Sequence, residues 1–468
     1  MLPTAQKLRA ALAESESAGV RAQISMLFDE ATFVETGAFT KRGISDFLIS
    51  EKSNEFEGVI CGYGAIDGKL VFAFAEDASR MGGAIDERHA KKIADLYALA
   101  MKNGAPVIGI FNSNGVDIFE GTVALGAYGR IMACVSKASG VIPQIAFVAG
   151  KCLGTSAAIA SMFDIVVKEK SAQLYVSSPA LLGCDNCQSA VVAYEAENET
   201  AIGYIRSLVS FLPENNKVGV QSSICTDNLN RMLGNLDFGG SALSAISMIV
   251  DNSMFIELSA DTAKEATTVF ATVGGVKCGI VATSFSENEG RISAMSARKI
   301  SRFVNLCNSF NIPLVTLCDS RGLSLDKDNE KLFAPELARL AMAYASSSCA
   351  KVTVIMSHAI GASFVLLGSK ALGADIVYAL DNSEIGALNA ESAVAFAWEK
   401  YIDEETTRED LVNEWKTTVS SPAYAAASGE IDDIISTSEL RARICSALLM
   451  LVNKGNISVG NGRPVLPL

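Results

Sequence analysis

The stretch "GKCLGTSAAIA", Gly150 to Ala160, follows the apolar run "IPQIAFVA" and leads into small residues. It reads as a buried strand, a glycine turn and the start of a helix. The stretch "SHAIGASFVLL", Ser357 to Leu367, repeats the arrangement after the apolar run "KVTVIM". Gly154 and Gly361 are 207 positions apart. The same offset relates "KKIADLYALAMKNGAPVIGIFNSNG" (Lys91 to Gly115) to "RKISRFVNLCNSFNIPLVTLCDSRG" (Arg298 to Gly322) without a gap. Further upstream "ISMLFDEATFVET" (Ile24 to Thr36) matches "ISMIVDNSMFIEL" (Ile246 to Leu258) at an offset of 222. One offset held over so long a distance marks an internal duplication.

Each half reads alike. A helix near the start runs into a short "FVE" or "FIE" strand. A hairpin follows, with Asp67-Gly68 as turn signal in the first half. Next comes a helix with apolar residues at Ile93, Leu96 and Ala100, or at Ile300, Val304 and Cys307. A buried strand, a glycine loop, a long helix and another strand lead to the turn. The expected fold is α/β, with repeated strand-strand-helix units wound into a spiral domain in each half. The polar connector starting at "FLPENN", Phe211 to Asn216, places the expected boundary at 235/236, giving domains 1–235 and 236–468.

A chain of 468 residues is long enough for two such cores. A hydrophobic share of 49% against 19% charged residues favours extensive burial. The net charge of −13 argues against a nucleic-acid partner. It does not exclude anionic ligands, which helix N-termini bind in acidic proteins. The N-terminus lacks a signal-peptide pattern, and Val141 to Val167 reads as strand plus buried helix rather than a membrane span. The 11 scattered cysteines suit buried thiols in a reducing cytoplasm. The pair Cys184 and Cys187 in "GCDNC" lacks the further ligands that a structural zinc needs, so no metal is expected.

A turn between strand and helix leaves backbone N–H groups unpaired, and the helix dipole favours negative charge there. Two such groups facing a dry cleft form an oxyanion hole for the enolate of a thioester. The plainer alternative is that Gly154 and Gly361 only allow tight strand–helix packing. Candidate ligand loops are "RMGGAIDE", with Gly82, Gly83 and Ala84, "NSNGVDIFEG", with Gly115 and Gly121, and "DSRGLSL". "GYGAIDG" lies in a hairpin and is not a dinucleotide site. No GxSxG elbow is present, and two histidines make a Ser-His-Asp triad improbable. His89 is expected on a solvated helix face. His358, beside the second turn, either contacts ligand or packs. Asp117, Glu120, Asp319 and Glu384 are available acids that sequence alone does not pair.

The block from "EDASRMGGAIDERHAKKIADLY" to "SGVIPQIAFVAGKCLGTSAA", with "FNIPLVTLCDSRG" and "AKVTVIMSHAIGASFVLLGSKALGADIVYA" in the second half, resembles the carboxyltransferase (β) subunits of biotin-dependent acyl-CoA carboxylases. It equally resembles the α subunits of biotin-dependent acyl-CoA decarboxylases. The likeness runs through nearly the whole chain from about Ala22. It implies two tandem crotonase-like domains of the ClpP/crotonase superfamily, the first binding acyl-CoA and the second binding biotin carried on a separate protein. It also implies a ring-shaped homo-oligomer, commonly a hexamer. The implied partners are a biotin carboxyl carrier protein and either a biotin carboxylase subunit or a membrane decarboxylase subunit.

By the same resemblance, Gly154 and Thr155 hold the thioester enolate, and Gly361, Ala362 and Ser363 form the turn for the ureido oxygen of biotin. Thr155 and Ala362 stand where relatives carry glycine, and Val365 stands where they vary a residue linked to acyl-chain choice. The direction, carboxylation or sodium-pumping decarboxylation, is open at this stage. A biotin-independent crotonase-like hydratase or isomerase using Glu120, and a non-catalytic scaffold, are the remaining alternatives.

Overall fold

The structure, a computed structural model, describes residues 5–14, 18–42, 56–177, 183, 191–219, 224–234, 241–284, 286–403 and 406–454. The chain divides into two compact units, Met1–Gly219 and Val220–Leu468. The division therefore precedes the expected 235/236. The reason lies in the segment after Gly219. The backbone carbonyl of Asn228 accepts from the Arg441 side chain, Asp227 Oδ2 pairs with Arg441, and Arg231 donates to the Val250 carbonyl. These bonds fix the connector to the second unit.

In the first unit the strands are β1 (Val34–Thr36), β2 (Val59–Ile66), β3 (Lys69–Glu76), β4 (Val107–Ser113), β5 (Gln144–Leu153), β6 (Ile165–Glu169), β7 (Gln173–Tyr175) and β8 (Val192–Ala196). They form one sheet in the order β1-β2-β3-β4-β5-β6-β8, with β7 paired to the end of β5. The second unit repeats this with β9 (Phe255–Leu258), β10 (Ala266–Val273), β11 (Val276–Thr283), β12 (Leu314–Ser320), β13 (Lys351–Ile360), β14 (Ile376–Leu380), β15 (Glu384–Gly386) and β16 (Asp433–Ile435). Its order is β9-β10-β11-β12-β13-β14-β16, and β15 pairs β13. Each sheet opens with antiparallel pairs and continues in parallel. This is the crotonase-like strand-strand-helix spiral, built twice.

Local chemistry explains the elements. Asp67 and Gly68 take positive φ of 49° and 77°, as a two-residue hairpin turn requires. The helix Glu87–Asn103 starts at Asp86, whose carboxylate accepts the His89 N–H, and stops at Gly104 in the left-handed region. The helix Ala294–Ser309 occupies the same place in the second unit, with Ser293 and Ser296 capping reciprocally. Val141 to Val167 is strand, turn, short helix and strand, as expected. Among the described residues no helix is long and apolar enough to cross a membrane.

The first core gathers Phe74, Phe111 and Phe163 edge to face under the sheet. The second gathers Val269, Ile280, Val315 and Val354 with Ile444 and Leu448 of the helix Leu440–Met450. Both cores lie on strands that are buried along nearly their whole length. The sheets are therefore rigid, and the loops at the C-terminal ends of their parallel strands are held at defined positions.

Candidate active site

The two turns adopt one conformation. Gly154 has φ 62°, ψ −127°, and Gly361 has φ 60°, ψ −131°. This is the mirror image of the β region, open to glycine and strained for other residues. Short helices follow at once, Thr155–Ser161 and Ala362–Leu366. The duplication reaches the loops beside them. Gly83 and Gly290, at φ 67° and 64°, and Gly115 and Gly322, at φ 113° and 109°, are further pairs 207 apart.

The donors differ from expectation in one respect. The Gly154 N–H donates to the Tyr175 carbonyl at 2.8 Å, and the Gly361 N–H to the Gly386 carbonyl at 2.8 Å. Both bonds extend the pairing of β5 with β7 and of β13 with β15. The two glycines therefore supply conformation, not oxyanion donors. The next N–H groups, of Thr155 and Ser156 and of Ala362 and Ser363, open the helices and have no intrahelical acceptor. Thr155 is exposed and Ala362 partly so, whereas Ser156 and Ser363 are buried. Ser156 Oγ lies 3.3 Å from the Tyr128 hydroxyl, and Ser363 Oγ donates to the Ile360 carbonyl at 2.8 Å. These contacts fix the first helical turn. Val365 is exposed on the short second helix.

The candidate loops of the first half meet at the same strand ends. The Gly82 carbonyl accepts from the Asn114 N–H, and the Ile85 N–H donates to the Gly115 carbonyl, both at 2.9 Å. Ser113 Oγ joins them by donating to the Gly83 carbonyl and accepting from the Gly115 N–H. Ala84 closes the short turn Met81–Gly83. Gly121, at φ 57°, leads into the helix Thr122–Ala138. Glu120, the acid a hydratase would need, is engaged elsewhere: its Oε2 accepts the Glu87 N–H at 3.0 Å. Asp117 is buried against Arg42 and caps Phe119, and Glu384 Oε1 accepts the Ala390 N–H.

His89 is fully buried, not solvated. Its Nδ1 is 3.5 Å from Glu57 Oε1 and its Nε2 4.0 Å from Glu76 Oε1. Burial pushes the Glu76 carboxyl up to about 7, partly offset by His89 and the Asn112 N–H. Burial raises Asp86 to about 6, and Glu57 adds to the rise. The signal was available in sequence, since His89 precedes Ile93 by four and continues the stripe Ile93, Leu96, Ala100.

His358, singled out beside the second turn, is bonded to an acid. Its Nδ1 lies 2.9 Å from Asp319 Oδ1, and its side chain is 19% exposed. Of the cysteines, Cys61, Cys278 and Cys318 are buried in the sheets, with their thiols pushed up by desolvation, so they are poor nucleophiles. Cys184 and Cys187 lie outside the described residues.

Two crotonase-like halves each end a buried strand in a glycine turn that opens a short helix. Comparison with known proteins narrows the class. The carboxyl transferase domain family matches residues 15–186 and 186–461. The methylmalonyl-CoA decarboxylase subunit alpha of Veillonella parvula is 34% identical over 462 residues, covering 93% of this chain and 90% of the relative. The putative propionyl-CoA carboxylase beta chain of Bacillus subtilis is 32% identical with the same coverage. A crystal structure of the transcarboxylase 12S hexamer, with methylmalonyl-coenzyme A and methylmalonic acid bound, superposes with a TM-score of 0.87 at 29% identity, covering 98% of this chain and 94% of that one. The chain belongs to the carboxyl transferase family and is a carboxyltransferase.

Proposed function

We propose that the protein is the carboxyltransferase component of a biotin-dependent acyl-CoA carboxylase, moving a carboxyl group from carboxylated biotin to a short acyl-CoA of the acetyl or propionyl type. The observation that carries this reading is the pair of turns with matching dihedrals at Gly154 and Gly361. The Thr155 N–H stabilises the enolate oxygen of the thioester. The Ala362 N–H does the same for the ureido oxygen of biotin. Side chains at these two positions do not impede donation, because a backbone N–H needs only the right peptide orientation, which the preceding glycine sets.

Biotin arrives as a co-substrate on a carrier protein, and the second turn fits it as a small uncharged ring whose oxygen gains charge. Biotin supplies the carbon to be transferred; the chain's residues position both reactants and hold the developing charges. A separate biotin carboxylase subunit loads the carrier. The transcarboxylase 12S hexamer supports a hexameric homo-oligomer, and the family resemblance supports a cytoplasmic enzyme.

A second reading is the α subunit of a sodium-pumping decarboxylase with a membrane partner subunit. It is favoured by the Veillonella relative and by the methylmalonyl-CoA decarboxylase subunit alpha of Propionigenium modestum, 32% identical over 93% of this chain. The test is incubation with biotin and malonyl-, methylmalonyl- or glutaconyl-CoA, following loss of the thioester's carboxyl group. Biotin-dependent loss supports both readings, and no loss with any thioester refutes both. Coupling to purified carriers, with and without bicarbonate and ATP-loaded biotin carboxylase, then assigns direction.

A further inference from the structure

The two halves share a scaffold bond. In the first, Asn112 Oδ1 accepts the Lys151 N–H at 3.2 Å. In the second, Asp319 Oδ1 accepts the His358 N–H at 3.2 Å. Asn112 and Asp319 are 207 apart, as are Lys151 and His358. Each bond ties two parallel strand ends together just before the glycine turn.

The chemistry on this scaffold differs between the halves. The second half has a further contact, with His358 Nδ1 2.9 Å from Asp319 Oδ1 and Ser357 Oγ at 2.9 Å from the same nitrogen. A carboxylate can only accept, so it assigns the ring proton to Nδ1. Nε2 of the neutral ring is then an acceptor, and it faces Arg321 Nη2 at 3.4 Å. Arg321 is followed by Gly322, where an added Cβ would lie 3.6 Å from the Ile360 carbonyl, so this loop abuts the second turn. The position 207 before Arg321 is Asn114, an uncharged amide. A carboxylate–imidazole–guanidinium series therefore exists beside one turn only.

We propose that Asp319 and His358 are positioning residues that hold the Arg321 guanidinium as the anion-binding group of the second turn. Its ligand is the carboxylate carried on the ureido nitrogen of biotin, which rests on the function proposed above. In the direction from thioester to biotin, the bond between α-carbon and carboxyl breaks and its electron pair stays on the α-carbon. The ureido nitrogen bonds the released carbon and loses its proton, which goes to the α-carbon. The negative charge of the carboxylate thus moves from the thioester to the ring, and Arg321 meets it there with charge-assisted donors.

The surrounding charges are accounted for. Glu384, strand-paired with His358, caps Ala390; Glu391 is paired with Lys416 and its carboxyl is also held down by the charge of Arg321; Arg291, whose Nη1 reaches the Arg321 carbonyl, is paired with Glu289. A protonated imidazole offers no acceptor and repels the guanidinium, so the device works with neutral His358.

The test uses the full chain with malonyl-CoA and biotin methyl ester, so that the only carboxylate on the biotin is the one formed on its ring. R321L should lower kcat about 10- to 100-fold with the thioester KM unchanged. H358N keeps a donor for Asp319 but offers Arg321 nothing, and should lose a comparable factor. H358Q restores an acceptor at the reach of Nε2, and should recover most of kcat. A readout independent of turnover is imidazole 15N NMR: with only two histidines in the chain, the His358 Nε2 resonance should shift in R321L. Unchanged kcat and an unchanged Nε2 resonance in R321L overturn the assignment, as does a loss shared with the thioester KM. If wild type shows no biotin-dependent turnover, the proposed function fails, while the NMR shift still reports on the three side chains.

Discussion

Gly154→Ala separates conformation from packing, because an added Cβ meets nothing within 4 Å. The only penalty is the backbone at φ 62°, ψ −127°, about 1–3 kcal/mol for a residue with a Cβ. The fold can absorb this in two ways. If the turn holds, urea unfolding of the first unit shifts by that amount and turnover persists. If the peptide plane between Gly154 and Thr155 rotates to relieve the strain, stability changes little but the Thr155 N–H no longer points at the oxyanion. Removing one such donor lowers kcat about 100- to 1000-fold. The strand pairing that fixes the Gly154 N–H on Tyr175 resists rotation on one side only, so we expect a mixed result: about 1 kcal/mol of lost stability and at least a tenfold loss of kcat. The assay is biotin-dependent decarboxylation of malonyl-CoA at saturating substrate, alongside urea titration. A variant with wild-type kcat and unchanged stability would refute the claim that this turn is glycine-dependent. Gly361→Ala is the matched control: its Cβ would lie 3.3 Å from the Ala387 carbonyl, so its stability loss should be the larger.

Three other outcomes follow from the packing. In Glu76→Gln the buried group that titrates near 7 is removed; because its folded value lies above the ordinary 4.5, wild type loses stability as pH rises from about 4.5 to about 7, by up to about 3 kcal/mol relative to the variant, which thermal melts across pH will show or not. Arg441→Met removes a fully buried guanidinium paired with Asp251 at 2.6 Å and leaves that carboxylate, which also accepts the Gly274 and Gly275 N–H groups; the second unit should lose about 3–5 kcal/mol, and a change under about 1 kcal/mol in urea unfolding contradicts this. Gly82→Ala drives a Cβ to 2.2 Å from Asn114 Nδ2 at φ 68°; it should raise the thioester KM several-fold with kcat little changed, and an unaltered KM would remove Gly82 from the acyl-CoA loop.

Much of the fold could be read from the sequence because duplication supplies a second copy of each weak signal. A single "GKCLGTSAAIA" is a weak signal of strand, turn and helix; "SHAIGASFVLL" in the same register makes the arrangement firm. The hairpin at Asp67-Gly68 and the helix stripe at Ile93, Leu96 and Ala100 follow from turn chemistry and period alone. What escaped depends on partners distant in sequence. Which N–H of the turn is occupied is decided by Tyr175 and Gly386, contributed by short strands with no periodicity to announce them. His89 was misplaced because its charged neighbours Arg88, Lys91 and Lys92 outweighed its phase on the helix. Its buried acids come from elsewhere in the chain, Glu57 from the segment just before β2 and Glu76 from the end of β3. The two compact units divide before the connector because Arg441, more than two hundred residues on, captures Asn228.

The matched turns at Gly154 and Gly361 lie on one covalent chain. Every ribosomal pass therefore makes one of each, and no assembly of this protein can hold an excess of one turn over the other. An enzyme divided between two genes would have to match their expression. Here the stoichiometry is written into the polypeptide, which left each copy free to change its own loop, Asn112 and Lys151 in one and Asp319 and His358 in the other.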